Sequence, residues 1–256
     1  TIVSAIEEGR RVFANITKFV VHMISVNVAE LTPLLLCLIF KEGDQIVYPL
    51  SPIEILFNNL VTSAPPASAL GLEPVHPQQM MVPPRTSQES LFCYRNIIDI
   101  LYYGVMMGLI CMANYAIVIY GYGSGSLGTN CNLSLSSNEF RDTCIDVYHA
   151  RGALFTTMTV LLLLHAQTCR DLVNPTWTIK GFTRKQNYYM YASWIFGFGI
   201  MFIVLYVPVI NTEVFKHLGI DWEWGMVAAS SVAYIALAEL YKWIKRRFFP
   251  RVTRQQ

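Results

Sequence analysis

Residues 97–120 read IIDILYYGVMMGLICMANYAIVIY, and Asp99 is the one charged residue in the run. A helix crossing the hydrocarbon core needs about 20 predominantly apolar residues, so this stretch reads as a transmembrane span. Residues 189–210, YMYASWIFGFGIMFIVLYVPVI, read the same way with no charge at all. Working outward, apolar stretches predict spans at about 17–40, 50–72, 96–121, 152–170, 188–210 and 222–244. The chain is 54% hydrophobic and only 14% charged, with a mean hydropathy of +0.39. That composition belongs to a protein dissolved largely in lipid. The predicted fold class is an all-α membrane protein, a bundle of about six transmembrane helices.

Six spans place both ends of the chain on one side. The segments on that side hold 15 of the 19 lysines and arginines, which predicts cytosolic termini. Residues 1–18 then form a cytosolic stalk, 17–244 the transmembrane domain and 245–256 a basic tail. The Lys242, Lys245, Arg246 and Arg247 cluster reads first as an anchor at the lipid headgroups, and Glu239 is expected to pair with Lys242 three residues on. Trp222, Trp224, Tyr241 and Trp243 suit an interfacial aromatic belt. A net charge of +2, with no basic run interleaved with aromatics, gives no ground for a nucleic-acid partner. The lipid bilayer is the expected partner.

Six cysteines do not make a disulfide scaffold in a chain of 256 residues. Cys37, Cys111 and Cys169 read as small packing residues. Cys131 and Cys144 share the polar loop expected outside the cell, where they could bridge, and Asn132 in Asn132-Leu133-Ser134 could carry a glycan there. The sequon at Asn15 falls on the cytosolic side and is expected to be unused. The chain opens on Thr1 with no Met and no secretory leader, which suggests a piece of a longer protein.

Polar side chains at membrane depth are costly and usually face a partner or a water-filled path. They concentrate in the first two spans. Asn27 and Glu30 stand three apart in VHMISVNVAELTPLLLCLIF (21–40), on one helical face. Asn59, Thr62 and Ser63 share a face in ILFNNLVTSAPPASALG (55–71). Pro65 and Pro66 then remove two backbone donors, which predicts a helix break with carbonyls turned inward. One carboxylate, two amides, hydroxyls and freed carbonyls are hard oxygen ligands suited to a hard cation, and broken helices at mid-membrane are a common way to build an ion site. The plainer reading of each residue alone is interhelical hydrogen bonding. His165, in VLLLLHAQTC (160–169), is a further candidate, with Gln167 beside it; Asn114 and Asp99 in the third span rank lower.

The stretch TIVSAIEEGRRVFANITKFVVHMISVNVAEL (1–31) is similar to the stalk and fifth membrane helix of P-type cation ATPases. PIEILFNNLVTSAPPASALGLEP (52–74) resembles their sixth helix, and MVPPRTSQESLF (81–92) their following cytosolic loop. The resemblance implies that the six spans are helices five to ten of such a pump. ESLF…IIDILYYGVMMG and His165 look most like the fungal type IID pumps, which implies export of sodium, potassium or lithium across the plasma membrane. By the resemblance, Asn27 and Glu30 match fifth-helix cation ligands, and Asn59 and Thr62 sixth-helix ones. Ser63 falls where calcium pumps and sodium–potassium pumps carry Asp, and His165 where calcium pumps carry Glu. Two fewer carboxylates favour a singly charged ion, whose dehydration needs less compensating charge.

No DKTGT phosphorylation motif occurs in the 256 residues, and phosphoryl transfer needs carboxylate, Mg²⁺ and phosphate contacts this chain does not supply. ATP and Mg²⁺ are therefore expected to act on cytosolic domains in the N-terminal part of the same pump, the chain's main protein partner. No catalytic residue and no resident cofactor is expected in this chain, and Na⁺ or K⁺ is the expected cargo. The sequence leaves open a calcium-transporting P-type ATPase and a self-contained six-span channel or secondary transporter. The absence of an apparent internal repeat speaks against the latter.

Overall fold

The first helix shows why one span can outlast the membrane. α1 (Ile2–Leu36) is a single 35-residue helix that runs without a joint from stalk to span and ends in a 3₁₀ turn, Cys37–Ile39. Its buried residues Asn15, His22, Val26, Ala29 and Pro33 recur every three to seven positions, a single inward stripe. The computed structural model describes residues 2–39, 41–42, 45–74, 91–125, 127, 131, 138–177 and 187–248. Asn132 and most of the expected basic tail, 249–256, lie outside the described residues.

After a two-residue antiparallel pairing of β1 (Lys41–Glu42) with β2 (Gln45–Ile46), the chain re-enters the bundle at α2 (Pro52–Phe57). Ser51 caps it. The Ser51 hydroxyl accepts from Glu54 N at 3.2 Å and Ser51 N donates to Glu54 Oε2 at 2.6 Å, a reciprocal capping box with Pro52 in the first turn. A π-helical stretch, Asn58–Ser63, follows, and then α3 (Ala64–Gly71). The expected break at Pro65 and Pro66 is corrected here. The helix does not unwind at the prolines, which sit in the first turn of α3, where a missing N–H is tolerated. In regular α geometry the Val61 and Thr62 carbonyls would accept from residues 65 and 66, and neither proline has a donor. The turn before them widens instead. The second span therefore consists of pieces of six, six and eight residues, none of them a long helix by itself.

α4 (Tyr94–Ala116) packs chiefly along α1. Gly104 and Gly108 make that approach close: a Cβ at Gly104 would lie 2.6 Å from Val28 Cβ, and one at Gly108 2.5 Å from Thr32 Cβ. A second π turn, Ile117–Tyr122, extends α4. α5 (Asn138–Cys169) is the axis of the bundle, buried on all sides from Val147 to Arg170 apart from a half-buried His149, so it shows no polar face. α6 (Tyr188–Tyr206) stops four residues short of the expected 210, because Val207 before Pro208 adopts an extended conformation (ψ 112°). A third π turn, Ile210–Phe215, and a loop lead into α7 (Trp224–Phe248). Among the described residues five helices are long and apolar enough to cross a membrane, and the divided second span completes the expected all-α bundle.

Two buried networks tie the helix ends at the basic side. Glu73 Oε1 accepts from Arg170 Nη2 and Nε at 2.7 and 3.0 Å, and Glu73 Oε2 from Asn187 Nδ2 at 2.8 Å. Asn15 of α1 donates to the Gly71 and Glu73 carbonyls at 3.1 and 2.8 Å, capping α3; its sequon amide is thus occupied. The second network corrects two expectations about the C-terminal cluster. Glu239 does not pair with Lys242: its Oε1 accepts from the Thr176 and Trp177 amides, while Lys242 Nζ donates to Thr168 O and Thr176 Oγ1 at 3.0 and 2.8 Å. Lys245 is no free tail residue, being buried with Nζ 2.6 Å from Asp99 Oδ2, while Tyr241 donates to Asp99 Oδ1 at 2.7 Å. Asn114 is interhelical glue, its amide donating to Thr157 Oγ1 and Ser230 Oγ at 2.9 Å each. At the opposite side Cys131 and Cys144 form a disulfide across 13 residues of sequence.

Candidate cation site

Glu30 is 3% exposed on the inward stripe of α1, and the π turn of the second span faces it. Asn59 Nδ2 donates to Glu30 Oε2 at 2.6 Å. Three oxygens of this cluster are buried with no hydrogen-bond partner among the described residues: Glu30 Oε1, Asn59 Oδ1 and Ser63 Oγ. Thr62 is buried beside them in sequence at 1% exposure. Buried acceptors without donors are uncommon in folded proteins and mark places where an ion or water completes the shell. The π turn is the device that creates this, since π-helical insertions displace side chains and cluster at functional sites.

The sequence-predicted set does not converge as one group. Glu30, Asn59, Thr62 and Ser63 meet where α1 faces the divided span. Asn27 shares the helix but is exposed on the bundle's outer side, with its amide donating back to Met23 O at 2.9 Å. His165 is fully buried but packs on His22, with ring centroids 5.3 Å apart. His22 precedes Glu30 by eight residues of continuous helix, about 12 Å along its axis. Pro65 and Pro66 flank the site by shaping the turn.

Residues that sequence reading passed over also contribute. Asn58, next to Asn59, turns the other way: its Oδ1 accepts from Thr159 Oγ1 of α5 at 3.1 Å, and its Nδ2 has no partner among the described residues. Their adjacency in NNLVTS gave a signal, since one helix turn cannot aim both amides at the same neighbour. Glu54 and His217 form a fully buried pair, Oε1 to Nδ1 at 2.9 Å, between the start of α2 and the loop before α7. The S-x-x-E pattern at Ser51–Glu54 announces the cap, but nothing in the sequence announces the histidine.

The fold and site together define a polytopic helical membrane protein whose polar cluster, with a single carboxylate, lies at the centre of a widened span. The chain belongs to the cation-transporting ATPases, their C-terminal region: residues 47–244 match the family described as "Cation transporting ATPase, C-terminus". It is 40% identical over 97% of its length to sodium/potassium exporting P-type ATPase 1 of Saccharomyces cerevisiae. It is 34% identical over 96% to sodium/potassium exporting P-type ATPase cta3 of Schizosaccharomyces pombe, and 28% identical over 96% to calcium-transporting ATPase 1 of Bacillus cereus. It spans about a quarter of each relative, 23%, 24% and 26% respectively.

Proposed function

We propose that this chain is the membrane transport domain of an ATP-driven pump that exports a monovalent cation, sodium, potassium or lithium. The observation that carries the reading is the Glu30–Asn59 contact at 2.6 Å beside three unpartnered buried oxygens. Glu30 is the one carboxylate of that cluster, and a lone carboxylate among amides and hydroxyls balances one positive charge better than two. The relatives at 40% and 34% identity carry sodium/potassium export in their names, which supports the same choice. Asn59, Thr62 and Ser63 are the proposed co-ligands. Asn27 would join from the outer face of α1 once the rest of the pump covers it, and His165 would act from the cytosolic approach.

In this reading ATP and Mg²⁺ act on the remainder of the same polypeptide, which is the chain's partner, and α1 transmits phosphorylation to Glu30 as an unjointed rod. The excess of lysine and arginine on the side of Glu73 and Arg170 supports cytosolic termini, and the plasma membrane follows from export. ATP-driven sodium or potassium uptake into inside-out vesicles that contain the assembled pump tests the proposal. Calcium uptake without sodium or potassium uptake would overturn it.

A further inference from the structure

His22 of α1 is 0% exposed, and its ring lies against the Ser63 backbone, which leaves a ring nitrogen without a hydrogen-bond partner among the described residues. A buried imidazole nitrogen left without a partner calls for an unseen one. Facing it, His165 and Cys169 stand one turn apart on α5, both fully buried. One donor atom from each of the three lies within 4.8 Å of the other two. We propose that His22, His165 and Cys169 form a site for a borderline-soft transition metal ion, Zn²⁺ being the best fit, distinct from the hard-oxygen cluster at Glu30.

The donor set decides the class of ion. Two imidazoles and a thiolate suit Zn²⁺ and exclude the alkali cations, which take oxygen. Tetrahedral zinc with ordinary bond lengths holds its nitrogen and sulfur ligands about 3.4–3.6 Å apart. Cys169 Sγ already lies 3.4 Å from His165 Nε2, so the pair on α5 is set for one edge of the tetrahedron. His22 closes from α1 by a shift on the order of 1 Å, the difference between the present span and that edge. His165 is also oriented as zinc-bound histidines usually are, with the nitrogen away from the metal held by another group: its Nδ1 is 2.8 Å from the Tyr234 hydroxyl. With that nitrogen carrying the proton, Nε2 offers its lone pair to the cluster.

Binding displaces the Cys169 thiol proton to solvent and leaves a thiolate on the metal, with no change of oxidation state. The fourth position falls to water. The ion would bridge α1 to α5, fixing the long helix to the bundle axis two turns before Glu30.

Cobalt(II) titration of the full chain in detergent micelles tests this. One equivalent should give tetrahedral d–d bands with a thiolate-to-cobalt charge-transfer band, both bleached by Zn²⁺. Cys169→Ser should remove the charge-transfer band, and Tyr234→Phe should weaken binding roughly 10- to 100-fold. Zinc K-edge absorption of the unaltered chain, which needs no variant to fold, should show one sulfur and three nitrogen or oxygen scatterers, two of them imidazole. Octahedral cobalt, a sulfur-free zinc shell, or a charge-transfer band that persists in Cys169→Ser would each overturn the proposal.

Discussion

Asn58 and Asn59 are neighbours in the chain and point to different helices: Asn59 donates to Glu30 on α1, and Asn58 accepts from Thr159 on α5. The π turn that holds both is thereby pinned between the unjointed first helix and the buried axis of the bundle. This predicts a division of labour between two identical side chains. Asn59→Ala should lower the apparent cation affinity of the assembled pump at least about 10-fold, equivalent to about 1.4 kcal/mol, and, because it strands Glu30 Oε2, should lower thermal stability as well. Asn58→Ala should destabilise the chain by about 1–3 kcal/mol, because it strands the buried Thr159 hydroxyl. Thermal unfolding in micelles and cation titration of each variant separate the two.

Gly104 and Gly108 let α1 and α4 touch. A Cβ at Gly108 would lie 2.9 Å from the Ala29 carbonyl as well as 2.5 Å from Thr32 Cβ, and backbone does not move aside cheaply. Gly108→Val should cost about 1–3 kcal/mol by overpacking, and Gly9→Val, where nothing lies within 4 Å, far less. Comparative melting of the two variants checks the assignment of Gly108 to a helix contact.

Glu54 and His217 are both 0% exposed. Removing one member of a buried, hydrogen-bonded pair leaves the other without its partner, so His217→Ala should cost about 3–5 kcal/mol. Glu54 has a second duty in capping α2, and Glu54→Ala should therefore cost more than His217→Ala. Equality of the two losses would argue that the cap contributes nothing.

The Cys131–Cys144 disulfide closes a loop of 13 residues, for which chain-entropy arguments give about 3 kcal/mol. A Cys131→Ser, Cys144→Ser chain should lose about that much. In the unaltered chain, alkylation under denaturing, non-reducing conditions should label four cysteines, matching the four free thiols.

How far the sequence foretold this molecule depends on the reach of each interaction. The apolar runs around 97–120 and 189–210 are local signals, and both contain long helices, the second ending at Tyr206 ahead of Pro208. α5 begins at 138, well before the span expected at 152, since the polar stretch NEFRDTCIDVYHAR (138–151) lies outside the apolar run that marks a span. The double proline announced an irregularity, but whether a helix unwinds or widens is decided by what packs on it, here Glu30 and Thr159. Glu30 and Asn59 were legible because an amide and a carboxylate at membrane depth stand out. Lys245 with Asp99, 146 positions apart, and Glu54 with His217, 163 apart, were not, because pairing across such distances is set by the bundle alone. The motif G-x-x-x-G at Gly104–Gly108 was present in the sequence and is explained only by α1 lying against it.

In the proposed function Glu30 holds a monovalent cation, and that binding would license the assembled pump to accept phosphate from ATP. The most direct measurement is phosphoenzyme formation in the assembled pump, titrated with Na⁺, K⁺ and Ca²⁺, for the unaltered protein and for Glu30→Gln. The account predicts that Na⁺ or K⁺ triggers phosphorylation, that Ca²⁺ does not, and that Glu30→Gln shifts the titration to at least about 10-fold higher cation, some 1.4 kcal/mol. Phosphorylation triggered by Ca²⁺ alone, or a titration unmoved by Glu30→Gln, would contradict it.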